Sequence, residues 1–149
     1  MTDIDALLPH TGLARMIDRV LRWDAEQILV GTSRHRASDN PLRRDQRLAA
    51  VHLAEFAAQA MAIHGGLRNA AGGRPPQPAL LVSVRDVVTF RDYIDDLPGD
   101  IEILAHALLI NPASWQYSFL ATHAGVTIAT GRVAAIAQGL TPASILSGI

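Results

Sequence analysis

The 149-residue sequence contains no cysteine and no lysine, and these two absences exclude several kinds of chemistry. Without cysteine there is no disulfide, no thiolate nucleophile and no cysteine metal ligand. All 13 cationic side chains are arginine, so Schiff-base catalysis and a P-loop lysine are impossible. The sequence also lacks HExxH, His-x-His and clustered carboxylates, so we expect no metal site.

Net charge and aromatic content are low as well. The formal net charge is −1, and aromatic residues make up 5% of the chain. A near-neutral chain with few aromatics lacks the field and the stacking surfaces of a nucleic-acid-binding protein. The acidic Met-Thr-Asp-Ile-Asp start has no apolar signal core, and ionisable groups interrupt every apolar run before the roughly 20 residues of a membrane span. We therefore expect a cytoplasmic protein without a nucleic-acid or membrane partner.

The most informative segment is 48–66, which is apolar or small at almost every position and still carries His52, Glu55, Gln59 and His64. A helix that is apolar on all sides belongs in the interior of a domain. Burying a carboxylate costs free energy unless the group is paired or protonated. The pattern therefore predicts a buried central helix in which Glu55 takes part in chemistry.

The segments on both sides of this helix predict strands. An alternating pattern indicates two strands before the helix, at 13–22 and 26–37. After a loop at 69–78, turn residues separate four further strand-like segments, at 79–90, 100–110, 114–124 and 126–138. Residues 4–8 could form one helical turn that Pro9 stops. The order β-β-α-β-β-β-β predicts the α+β class, with one domain over 1–149 and an antiparallel sheet curled around a single helix.

Several local strings resemble the hot-dog-fold 3-hydroxyacyl-acyl-carrier-protein dehydratases of the FabZ/FabA type. Leu-Pro-His at 8–10, followed by Asp-Arg-Val at 18–20, is similar to the entry into that family's first strand. The string 54–60, Ala-Glu-Phe-Ala-Ala-Gln-Ala, is similar to its helix motif, and Pro-Gly-Asp at 98–100 to its turn before the late strands. The resemblance covers about residues 5 to 138 and is greatest to the aryl-polyene-type dehydratase-like subgroup.

One departure from the standard family concerns the histidine of the His-Phe-Pro-Gly loop motif. Counting back from Glu55 to that position leads to Pro41, and residues 38–47 contain no histidine. His52 lies three residues before Glu55 and shares its helix face, so it is a candidate replacement. His10, in the entry motif, is the second candidate.

The resemblance implies a dehydration that needs three kinds of groups. A base must take the C2 proton, an acid must protonate the departing 3-hydroxyl, and donors must stabilise the thioester carbonyl. We expect Glu55 to be the acid, His52 or His10 to be the base, and helix N-terminal amides or a neighbouring turn to face the carbonyl. The predicted substrate-binding residues are Gln59, Asn40, Arg43 and Arg44.

An arginine cluster precedes the helix, at Arg34, Arg36, Arg43, Arg44 and Arg47. It could be a solvated loop, or a docking patch for an acyl carrier protein and its phosphopantetheine phosphate. Of the other histidines, His64 is expected at a helix end, His35 on the surface, and His106 and His123 on separate strands.

These expectations combine into a dimeric enzyme that dehydrates 3-hydroxyacyl thioesters to trans-2-enoyl thioesters. The thioester would be carried by an acyl carrier protein or by CoA, with no cofactor beyond phosphopantetheine. The dimer could be a homodimer or a pair of different hot-dog chains, since an open sheet edge invites pairing. Two alternatives stay open: a non-catalytic subunit of an active hot-dog partner, and a thioesterase in which Glu55 activates water.

Overall fold

The computed structural model describes residues 4–8, 12–75 and 79–137. His10 lies outside these ranges. The helices and strands, in chain order, are α1 (Ile4–Leu7), β1 (Arg19–Trp23), β2 (Gln27–Thr32), α2 (Leu53–Ala71), β3 (Ala79–Thr89), β4 (Ile101–Ile110), β5 (Ser114–His123) and β6 (Val126–Ala137).

The strands form one antiparallel sheet of six strands in the order β1-β2-β4-β5-β6-β3. Because β3 follows α2 and then pairs with β6, the strands β1 and β3 become the two edges of the sheet. The predicted α+β class and the single long helix against an antiparallel sheet are confirmed.

Side chains alternate between the two faces of the sheet, as the strand period requires. On β5, Tyr117, Phe119 and Ala121 are buried, whereas the intervening residues are half-buried or exposed. The buried face contacts α2, whose Phe56 and Ile63 are fully buried. Small residues on the helix let the sheet approach closely, which is why a helix with so few polar positions is stable here.

The limits of α2 differ from the predicted 48–66. The α-helix begins at Leu53, after a 3-10 turn at Ala50–His52, and continues past Gly65 and Gly66 to Ala71. Gly66 does not end the helix and lies where α1 packs against α2. A Cβ at Gly66 would lie 2.8 Å from Cδ2 of Leu7, so the glycine allows α1 to rest on α2.

The first two strands are shorter than the predicted 13–22 and 26–37. Gly12–Ala14 forms a 3-10 turn, and after β2 the chain turns again at Arg34–Arg36. β2 ends at Thr32 because the Asp18 carboxylate binds the two residues that follow. It accepts hydrogen bonds from the Ser33 main-chain N–H and hydroxyl and from Nε of Arg34. These bonds turn the chain out of the sheet directly after β2.

Candidate active site

His52 and Glu55 form a pair at the start of α2. Nδ1 of His52 lies 3.5 Å from Oε2 of Glu55, and their side chains are 28% and 45% exposed. The prediction that Glu55 is buried in the central helix is wrong, because its side chain is nearly half exposed. Because α2 begins at Leu53, Glu55 lies in its first turn.

One oxygen of Glu55 is shielded in spite of this exposure. Oε2 is buried and has no hydrogen-bond partner within the described part of the chain. Buried polar atoms in folded proteins nearly always have a partner. Oε2 is covered by this chain itself, with Nδ1 of His52 3.5 Å away, so the exposed remainder of the side chain is what an outside group can meet.

The pair opens on the surface beside the β3 edge of the sheet. The 3-10 turn before α2 packs against β3 and β6, and Ala50 donates its N–H to the Asp92 carbonyl at 2.8 Å. Val51 and Tyr93 are exposed next to this turn. Sequence reasoning missed these two rim residues, because an isolated exposed apolar side chain has no periodic signal.

The main-chain amides around the start of α2 are largely engaged. The N–H of His52 donates to Ala49 O, and that of Leu53 donates to the carbonyls of Ala50 and Val51. The N–H groups of Ala50, His52 and Leu53 therefore all have acceptors within the chain. The expectation that amides at the helix start face a thioester carbonyl is wrong for these three.

Gln59 is buried and binds the main chain of the segment before β1. Its Oε1 accepts from Met16 N at 2.7 Å, and its Nε2 donates to Ala14 O at 2.8 Å. The side chain thus fixes residues 14–16 against α2. The structure gives Gln59 a positioning role, and direct substrate contact stays a prediction.

Asn40 and Arg43 organise the loop between β2 and α2. The Asn40 amide donates to Arg34 O at 2.9 Å and accepts from Leu42 N at 2.9 Å. The Arg43 guanidinium donates to four main-chain carbonyls, those of His35, Arg36, Ala37 and Gln46. Both side chains therefore shape the loop, and substrate binding by either stays a prediction.

The rest of the arginine cluster is also mostly engaged within the chain. Arg44 donates to Pro41 O and Arg43 O, and Arg34 pairs with Asp18. Arg47 binds Asp95 through Nε and stacks over the Tyr93 ring. Within the described ranges, Arg36 is the member of this cluster without a side-chain partner. Most of these arginines therefore shape the loop, and the alternative of a docking patch for a carrier protein stays a prediction.

His35 is fully buried, so its predicted surface position is wrong. Its Nε2 lies 2.9 Å from Leu97 O, and Nε2 of His123 lies 2.6 Å from Pro98 O. The two histidines thus hold neighbouring carbonyls of the Leu-Pro-Gly-Asp turn. Burial lowers the pKa of His35 below its usual value, so the ring is neutral.

The prediction that His64 lies at a helix end is wrong. The residue lies inside α2, because the helix continues to Ala71. Its Nε2 donates to Asp24 O at 2.7 Å, which leaves Nδ1 to accept from the Tyr117 hydroxyl at 2.5 Å. Burial lowers the pKa of His64 and raises the pKa of Tyr117 to about 12. The pair is neutral and links α2 to β5.

Residues 4–8, 12–75 and 79–137 contain no group of three or more histidine, aspartate or glutamate side chains that could hold a metal ion. No helix there is both long and apolar enough to span a bilayer.

Comparisons with known proteins concern the family and the fold. Residues 2–145 match the model of the ApeP-like family, described as ApeP dehydratase. The structure is similar to the dehydratase heterocomplex ApeI:P of Xenorhabdus doucetiae, with a TM-score of 0.83, 16% identity, and coverage of 99% of this chain and 97% of that one. It is also similar to a mutant thioesterase of Pseudomonas aeruginosa, with a TM-score of 0.55, 15% identity and 80% coverage of both chains. No protein of curated function matches the sequence significantly.

Proposed function

The chain belongs to the ApeP-like family of dehydratases, and we propose that it removes water from 3-hydroxyacyl thioesters with Glu55 as the acid. The observation that carries this assignment is the His52–Glu55 pair at the start of α2, with Nδ1 3.5 Å from Oε2 and the Glu55 side chain 45% exposed. The exposed part of this carboxyl can give its proton to a substrate hydroxyl.

The proposed reaction breaks two bonds of the substrate. A base removes the C2 proton, and the electron pair of the C2–H bond forms the C2=C3 double bond. The C3–O bond breaks as the Glu55 carboxyl gives its proton to the 3-hydroxyl, which leaves as water. His52 is the base that the structure favours, because it already faces Glu55. A role for His10 stays a prediction.

We further propose that the site is completed by a second hot-dog chain that pairs along β3. β3 is an edge strand of 11 residues, and its Leu80, Val84 and Val88 are exposed. Unpaired edges with apolar side chains favour pairing with another strand. The His52–Glu55 pair opens next to this edge, and the similar ApeI:P structure is a heterocomplex. The partner could be a different hot-dog chain or a second copy.

The thioester carrier is the least constrained part of the proposal. An acyl carrier protein stays our prediction, with CoA as the alternative and the cytoplasm as the location. Arg43 is not available for carrier docking because its guanidinium binds loop carbonyls. Arg36, which is exposed and has no side-chain partner among the described residues, is the arginine of this loop best placed to meet a carrier phosphate.

The experiment is an assay of 3-hydroxyacyl-carrier thioester with wild type and the Glu55→Gln variant, each alone and mixed with a hot-dog partner subunit. Glutamine keeps the shape and removes the transferable proton, so enoyl thioester formation should fall roughly 10²- to 10⁴-fold. Glu102→Gln, an exposed change on β4, is the matched control and should behave as wild type.

The products separate the alternatives. Release of free acid and thiol would establish a thioesterase and overturn the dehydratase assignment. Equal enoyl formation by wild type and Glu55→Gln, with the partner present, would show that this chain is a non-catalytic subunit. Activity that requires the partner and is lost in Glu55→Gln would support a shared site.

A further inference from the structure

A cleft lies on the face of the sheet opposite to α2. The buried side chains of β5 face the helix, so the residues between them, including Gln116 and Ser118, face away. The register places Ser118 opposite Arg132 and Gln116 opposite Ala134, which assigns these β6 residues to the outer face. The cleft has a volume of about 370 Å³, which is within the range of ligand-binding clefts. Its outer-face lining includes Ser83, Arg85, Leu108, Gln116, Arg132 and Ile136.

The shape of the cleft follows from a small residue and three bulges. Ala134 lies between Ser83 on β3 and Gln116 on β5, so the middle strand has a short side chain flanked by longer ones. The register shifts at Leu81/Ser83 and Arg85/Val88 on β3, and at Ala107/Leu109 on β4. Bulges redirect side chains and are frequent beside binding sites. Here they border the cleft on two sides.

The charges in the cleft are unbalanced. Arg85 and Arg132 lie directly opposite each other on neighbouring strands, and like charges in that position are destabilising. Asp86 is 3.8 Å from Arg132, but both side chains are mostly exposed, so this pair contributes little. Within the described ranges Arg85 has no ion-pair or hydrogen-bond partner. Two guanidinium groups at one end of a cleft are suited to an oxyanion, which each can bind through two N–H groups.

The other end of the cleft is apolar. Leu108 is 48% exposed, and Ile136 lies beyond Ala134 on the same strand face. Between the two ends, the Ser83 hydroxyl and the Gln116 amide have no side-chain hydrogen bonds in the part of the chain that is described. The lining therefore changes from cationic, through neutral polar, to apolar.

We propose that this cleft binds an organic oxyanion with an alkyl tail. The head group lies between Arg85 and Arg132, and the tail runs over Ala134 toward Leu108 and Ile136. A fatty carboxylate and an alkyl phosphate share this chemistry. The cleft is separate from the His52–Glu55 pair, since the sheet lies between it and α2, so the proposal does not depend on the dehydration assignment.

The test is calorimetric titration of the full chain with octanoate and, separately, with octyl phosphate. Saturable binding is expected for at least one, and the tighter of the two identifies the head group. Arg85→Gln and Arg132→Gln should each weaken it by about tenfold or more, because each removes charge-assisted hydrogen bonds. Arg22→Gln is the matched control, an exposed arginine at the opposite edge of the sheet, and should leave the affinity unchanged.

Two further variants test the shape of the site and its independence. Ala134→Leu should abolish binding without changing the charge, because a longer side chain fills the floor, and Glu55→Gln should bind as wild type does. Circular dichroism checks that each variant is folded. The proposal is overturned if neither probe binds saturably, if the two arginine variants match Arg22→Gln, or if inorganic phosphate binds as tightly as octyl phosphate.

Discussion

The hydrogen bonds of His64 show how one residue can tie together three elements that are distant in sequence. The ring lies in α2, accepts a hydrogen bond from the Tyr117 hydroxyl on β5, and donates one to the Asp24 carbonyl in the β1–β2 turn. Both bonds require a neutral ring with its proton on Nε2. A second proton on Nδ1 would break the bond from Tyr117 and place a charge in the core.

This arrangement predicts that the protein loses stability in mild acid. Burial lowers the folded-state pKa of His64 and His35, so the unfolded chain binds protons first as the pH falls through about 6.5. The free energy of unfolding should therefore be highest above that pH and decrease between about pH 7 and pH 5, by at most about 1.4 kcal/mol per pH unit for each histidine. Urea titrations at several pH values measure this slope.

The His64→Gln variant separates one histidine from the other. It should be less stable than wild type at pH 8 and show a smaller slope in the same range, because one of the two titrating groups is gone. An unchanged slope would mean that His64 does not titrate differently in the folded and unfolded chains. The carboxylates of Asp18 and Asp95 have lowered pKa values and affect stability only at lower pH.

Gln59 is the second residue whose role can be tested by stability. In Gln59→Leu the Met16 N–H and the Ala14 carbonyl lose their partners, and each unsatisfied buried group costs about 1–3 kcal/mol. The melting temperature should fall clearly, whereas Gln116→Leu, at an exposed position without side-chain hydrogen bonds among the described residues, should change it little. If both variants melt alike, Gln59 does not hold residues 14–16.

At the scale of elements, the loop between β2 and α2 is shaped by one guanidinium. Arg43 reaches four carbonyls because its donors are spread over a rigid planar fork. Lysine has the same charge but cannot span those acceptors. Arg43→Lys should lower the free energy of unfolding by about 1–3 kcal/mol and speed amide exchange in residues 35–46.

Arg36→Lys is the control for this loop, because Arg36 is exposed and has no side-chain partner among the described residues. It should leave stability and exchange unchanged. If Arg43→Lys were as stable as wild type and only its affinity for a carrier protein fell, Arg43 would be a docking residue after all.

Strands were predictable from the sequence where apolar and polar residues alternate. The alternation at 100–110, 114–124 and 126–138 gave strands within two residues of β4, β5 and β6, since burial of one face imposes that alternation. The end of α2 was not predictable from Gly65 and Gly66. The role of Gly66 depends on Leu7, which is distant in sequence and close in the fold.

The site was predictable in its residue types and less so in its surroundings. The spacing of His52 and Glu55 on one helix face follows from sequence, and the structure brings them together. The burial of His35 does not follow, because Leu97, which covers and binds it, is 62 positions away. The use of Arg43 depends likewise on where loop carbonyls point, which no local pattern records.

At the scale of the whole molecule, the two edges of the sheet differ in how readily they can pair with another chain. β1 has five residues, two of them arginine, and its register shifts at Val20/Arg22. Short, charged and bulged strands resist pairing with another chain. β3 is longer and has exposed apolar side chains. Val84 lies opposite the buried Val133, on the face that covers α2, and is nevertheless 43% exposed.

This asymmetry predicts that Val84→Glu weakens association along β3 without unfolding the chain. A side chain on the helix-covering face at an open edge becomes buried when another strand pairs there, and an unpaired carboxylate in that position costs free energy. We expect the dissociation constant to rise at least about tenfold, equivalent to about 1.4 kcal/mol. Sedimentation over a concentration series measures the change, and circular dichroism confirms folding.

Val126→Glu is the matched control, since Val126 is 66% exposed at the β5–β6 turn, away from the paired part of β3. It should associate as wild type does.

If Val84→Glu stays fully associated, pairing does not use β3. If it dissociates and keeps full dehydratase activity, the His52–Glu55 pair works without a partner, and the shared site proposed here is wrong. Loss of association and activity together is the outcome that an edge-paired enzyme requires, because His52 belongs to the 3-10 turn that packs against β3.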